Sequence, residues 1–156
     1  MNPTDGGTWF GDWAWSLPLI VPIVVIHVCG LALIAERDID AMSVSQDRRS
    51  FMPRYALVMG GWTLLATLLH GIEAGIWAAA FRLLGALQDN RSAILYSLSA
   101  ITTYGHANLF LKSRWQLMGS LEALNGMLSF GLTTAFLFAI IQRVWPLGSS
   151  ERHQHA

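Results

Sequence analysis

Residues 89–108 read DNRSAILYSLSAITTYGHAN. Asp89, Asn90 and Ser92 are residue types that cap helix N-termini, because their short side chains accept from free backbone N–H groups. The run behind them, Ala93 to Ile101, is largely apolar, yet well short of the ~20 residues that cross a bilayer as a helix. Runs of this length are re-entrant, interfacial or buried. Thr102-Thr103-Tyr104-Gly105-His106 follows, a polar and glycine-containing stretch with no helical pattern. A half-helix that enters a membrane must return as non-helical backbone, tolerated at depth only where protein buries it or it lines a water-filled cavity. The other reading of the same periodicity is an amphipathic helix lying on the outer surface.

The flanks favour the first reading. Of 156 residues, 53% are hydrophobic and 13% charged. A soluble domain carries about 25% charged residues. Three windows hold the deficit: Trp15–Ala35, Tyr55–Ile72 and Ala123–Gln142 contain no Asp, Glu, Lys or Arg. Each is long enough, or nearly so, to span a bilayer. What is left over is too short for a soluble catalytic or ligand-binding domain. The expectation is an all-α integral membrane protein with three transmembrane helices, and not an enzyme.

Ten basic residues balance ten acidic ones, so no basic patch suggests nucleic acid, and no small-molecule substrate is indicated. The single Cys29 excludes a disulfide framework. No Lys or Arg precedes the first apolar run, and it is longer than a signal-peptide core. The head, Met1–Ala14, carries Asp5 and Asp12 with Trp9 and Trp13, the pattern of an external segment ending in an aromatic belt. Arg37, Arg48, Arg49, Arg54, Arg143 and Arg152 fall on one side, and Arg82, Arg91, Lys112 and Arg114 on the other. Basic residues concentrate in cytoplasmic loops, so this majority puts the N-terminus outside.

Ala93–Asn108, AILYSLSAITTYGHAN, resembles the pore helix and filter of potassium channels, and Gly126–Ala135, GMLSFGLTTA, resembles the inner helix of their two-helix bacterial members. The resemblance covers Tyr55 to Trp145. In that family four loops of the type Thr-Val-Gly-Tyr-Gly line an axis, and their carbonyls replace an ion's hydration shell. By position, Thr102, Thr103, Tyr104, Gly105, His106 and Ala107 stand at the filter, with Asn108 where an Asp is common. Thr102, Thr103 and Gly105 keep the pattern. Tyr104 replaces a small β-branched residue, His106 the aromatic, and Ala107 the second glycine.

The resemblance implies a re-entrant pore helix and filter loop, a homotetramer in membrane lipid, and no cofactor beyond a permeant monovalent cation, with K+ expected. It divides the chain into 1–53 (head, first membrane helix and cytoplasmic linker), 54–146 (pore domain) and 147–156 (cytoplasmic tail). Within the pore domain the outer helix covers 55–81, the pore helix and filter 90–108, and the inner helix 115–145. Met127, Phe130, Thr134 and Phe138 would face the axis, Phe138 as an inner constriction and Gly126 as a hinge. The expected location is a bacterial inner membrane, with the first helix peripheral and facing lipid. The function implied is a cation channel, potassium-conducting or non-selective; a non-conducting membrane scaffold is the rival.

Ionisable residues inside spans are expensive, at least ~2.5 kcal/mol for an acid at the centre, and mark functional positions. His70 and Glu73 lie three apart on the second span, and Glu122 lies on the third. On a helical wheel Glu122, Ser129 and Thr133 fall within about 20° of one line, flanked by Asn125 and Gly126. The expectation is one hydrogen-bonded network behind the filter, in which His70 and Glu73 join the stripe of Glu122, Ser129 and Thr133, with Asn108 beside it, and the two carboxylates share a proton. Metal binding by His70 and Glu73 is the weaker reading, since two ligands do not complete a tetrahedral site. His27 and Cys29 are expected to be packing residues, and Gly71 with Gly75 a face for close helix packing.

Overall fold

The computed structural model describes residues 5–42, 48–105 and 108–144. The described residues form four α-helices and no strand: α1 (Asp5–Met42), α2 (Arg48–Leu83), α3 (Asn90–Ile101) and α4 (Gln116–Val144). A single 3₁₀ turn, Ser113–Trp115, leads into α4. Three stretches, Trp9–Leu33, Tyr55–Leu83 and Ser113–Gln142, are long and apolar enough to cross a membrane, with mean hydropathies of 2.3, 1.5 and 1.8. At 1.5 Å per residue the 12-residue α3 is only about 18 Å long and cannot cross.

Two sequence-based boundaries change. The head is continuous with the first long helix, because helix already begins at Asp5 and runs without a break through Trp15. The linker is largely helical as well, since α1 continues to Met42 and α2 starts at Arg48. Charge marks where a helix leaves an apolar environment but does not stop the helix, and Pro53 is likewise carried inside the second turn of α2. The helix expected from residue 115 is α4, which starts one residue later after the 3₁₀ turn, and the short helix expected behind Asp89 is α3, which ends at Ile101.

Pairings along the helices set their directions. Gly30 of α1 meets Leu69 of α2, while His27 meets Glu73, so α1 and α2 run antiparallel. Asp12 lies beside the Leu117 backbone N–H and His27 beside Thr133, so α1 and α4 run parallel. Trp62 near the start of α2 packs against Phe136 and Ile140 near the end of α4. The result is an up-down-up arrangement, with α3 held at the end where α2 finishes and α4 begins. The main core lies there too: Ile23, Trp77, Phe81, Ala93, Tyr96, Ile101 and Met118 draw all four helices together. The Phe81 and Tyr96 rings meet edge to face, 5.4 Å apart.

The first helix buries one stripe against α2 and α4. Ile23, His27 and Leu31 are buried along one of its stripes, while Val21, Val25, Val28 and Leu33 face outward. Asp12, also buried, brings a carboxylate to the first turn of α4, where unpaired N–H groups and the positive end of the helix dipole favour an anion. Gly71 and Gly75 do not mediate close packing within the chain; open space surrounds both. The tight approaches fall instead at Gly30, Gly119 and Gly126.

Candidate functional site

Asp89 caps α3 as its residue type suggests, accepting a hydrogen bond of 2.8 Å from the Ser92 N–H. The turn before it is tied down by cations. Arg82 donates to Asn90 Oδ1 (2.8 Å) and to the Leu87 and Gln88 carbonyls, and Lys112 donates to the Gly85 carbonyl at 2.7 Å.

Both α2 and α3 end in the same hydrogen-bond pattern. After α2, Gly85 N–H donates to the Arg82 carbonyl and Ala86 N–H to Phe81; after α3, Thr103 N–H donates to Ala100 and Tyr104 N–H to Ser99. These paired bonds define a Schellman cap, whose turning residue is left-handed. Gly85 fills that position at φ 64° without steric cost, whereas Thr103 fills it at φ 55° with a β-branched side chain. The chain leaving α3 is non-helical, and Gly105 is again left-handed at φ 85°. Tyr104 is 87% exposed. Among the described residues, the carbonyls from Thr102 to Gly105 accept no backbone or side-chain hydrogen bond. His106 and Ala107 lie outside the described residues, and Asn108 is exposed, apart from the buried polar groups.

Two glycines seat α3 on α4. A Cβ at Gly126 would come within 2.7 Å of the Ile101 Cα, and one at Gly119 would collide with the Tyr96 hydroxyl. Gly126 thus serves as a contact surface. The outward side of α4 carries Met127 (61% exposed), Thr134 and Phe138 (58% exposed), roughly opposite its buried polar stripe, with Phe130, also exposed, between the two.

That stripe, Glu122, Asn125, Ser129 and Thr133, is buried throughout, as the helical wheel implies. The expected single network is divided, however. Glu122 faces Ser97 of α3, near Tyr96, and among the described residues neither of its oxygens has a hydrogen-bond partner. Glu73 turns instead toward histidines: His27 Nδ1 lies 2.6 Å from its Oε1, and His70 Nδ1 lies 3.4 Å from its Oε2. Among the described residues no hydrogen bond or ion pair joins Glu73 to Glu122, so the shared proton is not part of this arrangement. Thr133 Oγ1 sits 3.0 Å from His27 Nε2 and 3.4 Å from His70 Nε2. Phe130 stacks on His70 with ring centroids 4.1 Å apart, joining the outward face of α4 to the cluster behind it.

His27 is therefore a member of the polar cluster and not a packing residue. Sequence reasoning missed it because its partners lie 46 and 106 residues away. The available signal was its position as an ionisable group well inside an otherwise uncharged span. Cys29, two residues on, is exposed, so it is not a packing residue either. The chain matches no family model, no curated protein and no solved structure.

Proposed function

We propose that the chain is one subunit of a tetrameric cation channel, with K+ as the expected permeant ion. The observation that carries the reading is α3: a helix too short to cross, wedged between two helices long enough to do so and followed by non-helical backbone whose carbonyls accept no hydrogen bond among the described residues. One such loop cannot enclose an ion, so closure requires cyclic symmetry, and four-fold closure follows from the resemblance to potassium channels.

In this assembly α3 enters from the outer side and the loop from Thr102 to Ala107 surrounds the axis. Carbonyl oxygens replace the ion's water. The C-terminal end of each α3 adds about half a negative charge, which favours a cation. Between Ser92 and Leu111 there is no Lys or Arg to attract an anion. Met127, Thr134 and Phe138 line the inner passage, and four copies of Phe138 form a constriction that closes by excluding water. The altered outer filter, with His106 and Ala107 in place of Tyr and Gly, leaves the inner carbonyl rings to set ion preference.

Purified protein in liposomes loaded with a potassium-sensitive dye tests this. An inward potassium gradient is expected to drive dye response in wild type, and Gly105→Val to abolish it without loss of the assembled oligomer. Equal leak through wild type, variant and empty liposomes would contradict the reading.

A further inference from the structure

We infer that His27, His70 and Glu73 form a binding site for a divalent transition-metal ion of the zinc class, set inside the helix bundle. The inference does not depend on the pore reading. It rests on three buried side chains, from two helices, whose donor atoms lie within 4.8 Å of one another.

Proton counting points to a cation there. With Glu73 ionised, four contacts close the cluster: His27 and His70 each face one carboxylate oxygen through Nδ1 and the Thr133 hydroxyl through Nε2. Two neutral imidazoles and one hydroxyl supply three protons in total. One contact must go without. The geometry identifies it as His70 Nδ1 against Glu73 Oε2, two buried atoms 3.4 Å apart with no hydrogen-bond partner. With both imidazoles neutral, two electron pairs then face each other between buried atoms, an arrangement relieved by a metal ion as it would be by one further proton.

The outer partners suit a metal. Metal-bound imidazoles donate their second N–H to a fixed acceptor, which holds the ring in place. A hydroxyl oxygen has two acceptor lone pairs, so Thr133 can take the Nε2–H of both rings at once. Both Nδ1 atoms are then free to bind with Glu73, and the proton that His27 held on Nδ1 moves to Nε2. Two imidazoles and a carboxylate make up a known zinc donor set, the fourth ligand being a water carried in with the ion. Tetrahedral ligands stand about 3.4 Å apart. Binding therefore requires the His27–Glu73 pair to open from 2.6 Å by less than about 1 Å. Such an ion would join α1 to α2 directly and to α4 through Thr133.

The test uses full-length protein in detergent, with any affinity tag removed and with His153→Gln and His155→Gln in the background, so that tail imidazoles do not contribute. Metal-depleted protein is titrated with Co²⁺ and separately with Zn²⁺. The expected result is about one ion per chain, with intense visible Co²⁺ bands of a four-coordinate site and X-ray absorption showing two imidazoles. His27→Gln should reduce retained metal to below about one tenth per chain, while Cys29→Ser retains it. Zn²⁺ should also raise the thermal midpoint of the background protein. No retained metal, a weak six-coordinate Co²⁺ spectrum, or undiminished binding in His27→Gln would overturn the proposal. If His27→Gln does not fold, the spectrum and imidazole count of the background protein decide alone.

Discussion

Gly126 of α4 and Ile101 of α3 approach so closely that the missing side chain is itself the contact, since a Cβ there would lie within 2.7 Å of the Ile101 Cα. The atoms in the way are backbone, which cannot rotate aside. Gly126→Ala should therefore cost about 1–3 kcal/mol through overpacking. Gly131→Ala, on the same helix with open space around it, should cost nothing or stabilise slightly. Thermal unfolding in detergent compares the two. Equal effects would show that α3 is not seated on Gly126.

Thr103 offers the opposite experiment. A β-branched residue in the left-handed region costs about 1–2 kcal/mol relative to glycine, partly offset by glycine's greater freedom when unfolded. Its side chain is exposed, so little packing is lost on removal. Thr103→Gly should gain about 0.5–1 kcal/mol of stability, and Gly85→Ala should lose about 1–2 kcal/mol at the equivalent cap of α2. A stability gain accompanied by altered ion permeation would mean that the strain at Thr103 serves the loop's shape.

Asp89 gives a pH dependence with a definite sign. The Ser92 N–H and hydroxyl, aided by the charge of Arg82, hold its carboxyl below the ordinary 3.8. A depressed carboxylate adds stability that is complete above 3.8 and disappears as pH falls through the lowered value. Asp89→Asn keeps a capping oxygen without the charge. Melting curves between pH 6 and pH 3 should therefore show a shallower acid decline for the Asn variant than for wild type. Identical curves would remove the cap's ionic contribution.

What could be read from the sequence follows from the range of the interaction that each feature depends on. The three spans were visible because an uncharged run of that length has few other uses, and Asp89 because its cap bond spans three residues. The buried line through Glu122, Ser129 and Thr133 was also visible, since it needs only the angle between successive residues. Which residue meets which was not. That His70 would meet the stripe of Thr133 was expected, but the arrival of His27 at Thr133 and Glu73, and the placing of Glu122 against Ser97, depend on how α1 and α3 dock, and no local pattern encodes that. Asp12 misled for a related reason: an acid in a short head suggests solvent, yet the side chain sits against the start of α4.

If four copies of the loop after α3 surround a cation path, single-channel recording from purified protein in a planar bilayer under a potassium chloride gradient should show it. Discrete current steps that reverse near the potassium equilibrium potential are expected, with larger openings or a raised closed-state leak in Phe138→Ala. Persistent electrical silence of folded, oligomeric protein, or steps reversing near the chloride potential, would contradict it.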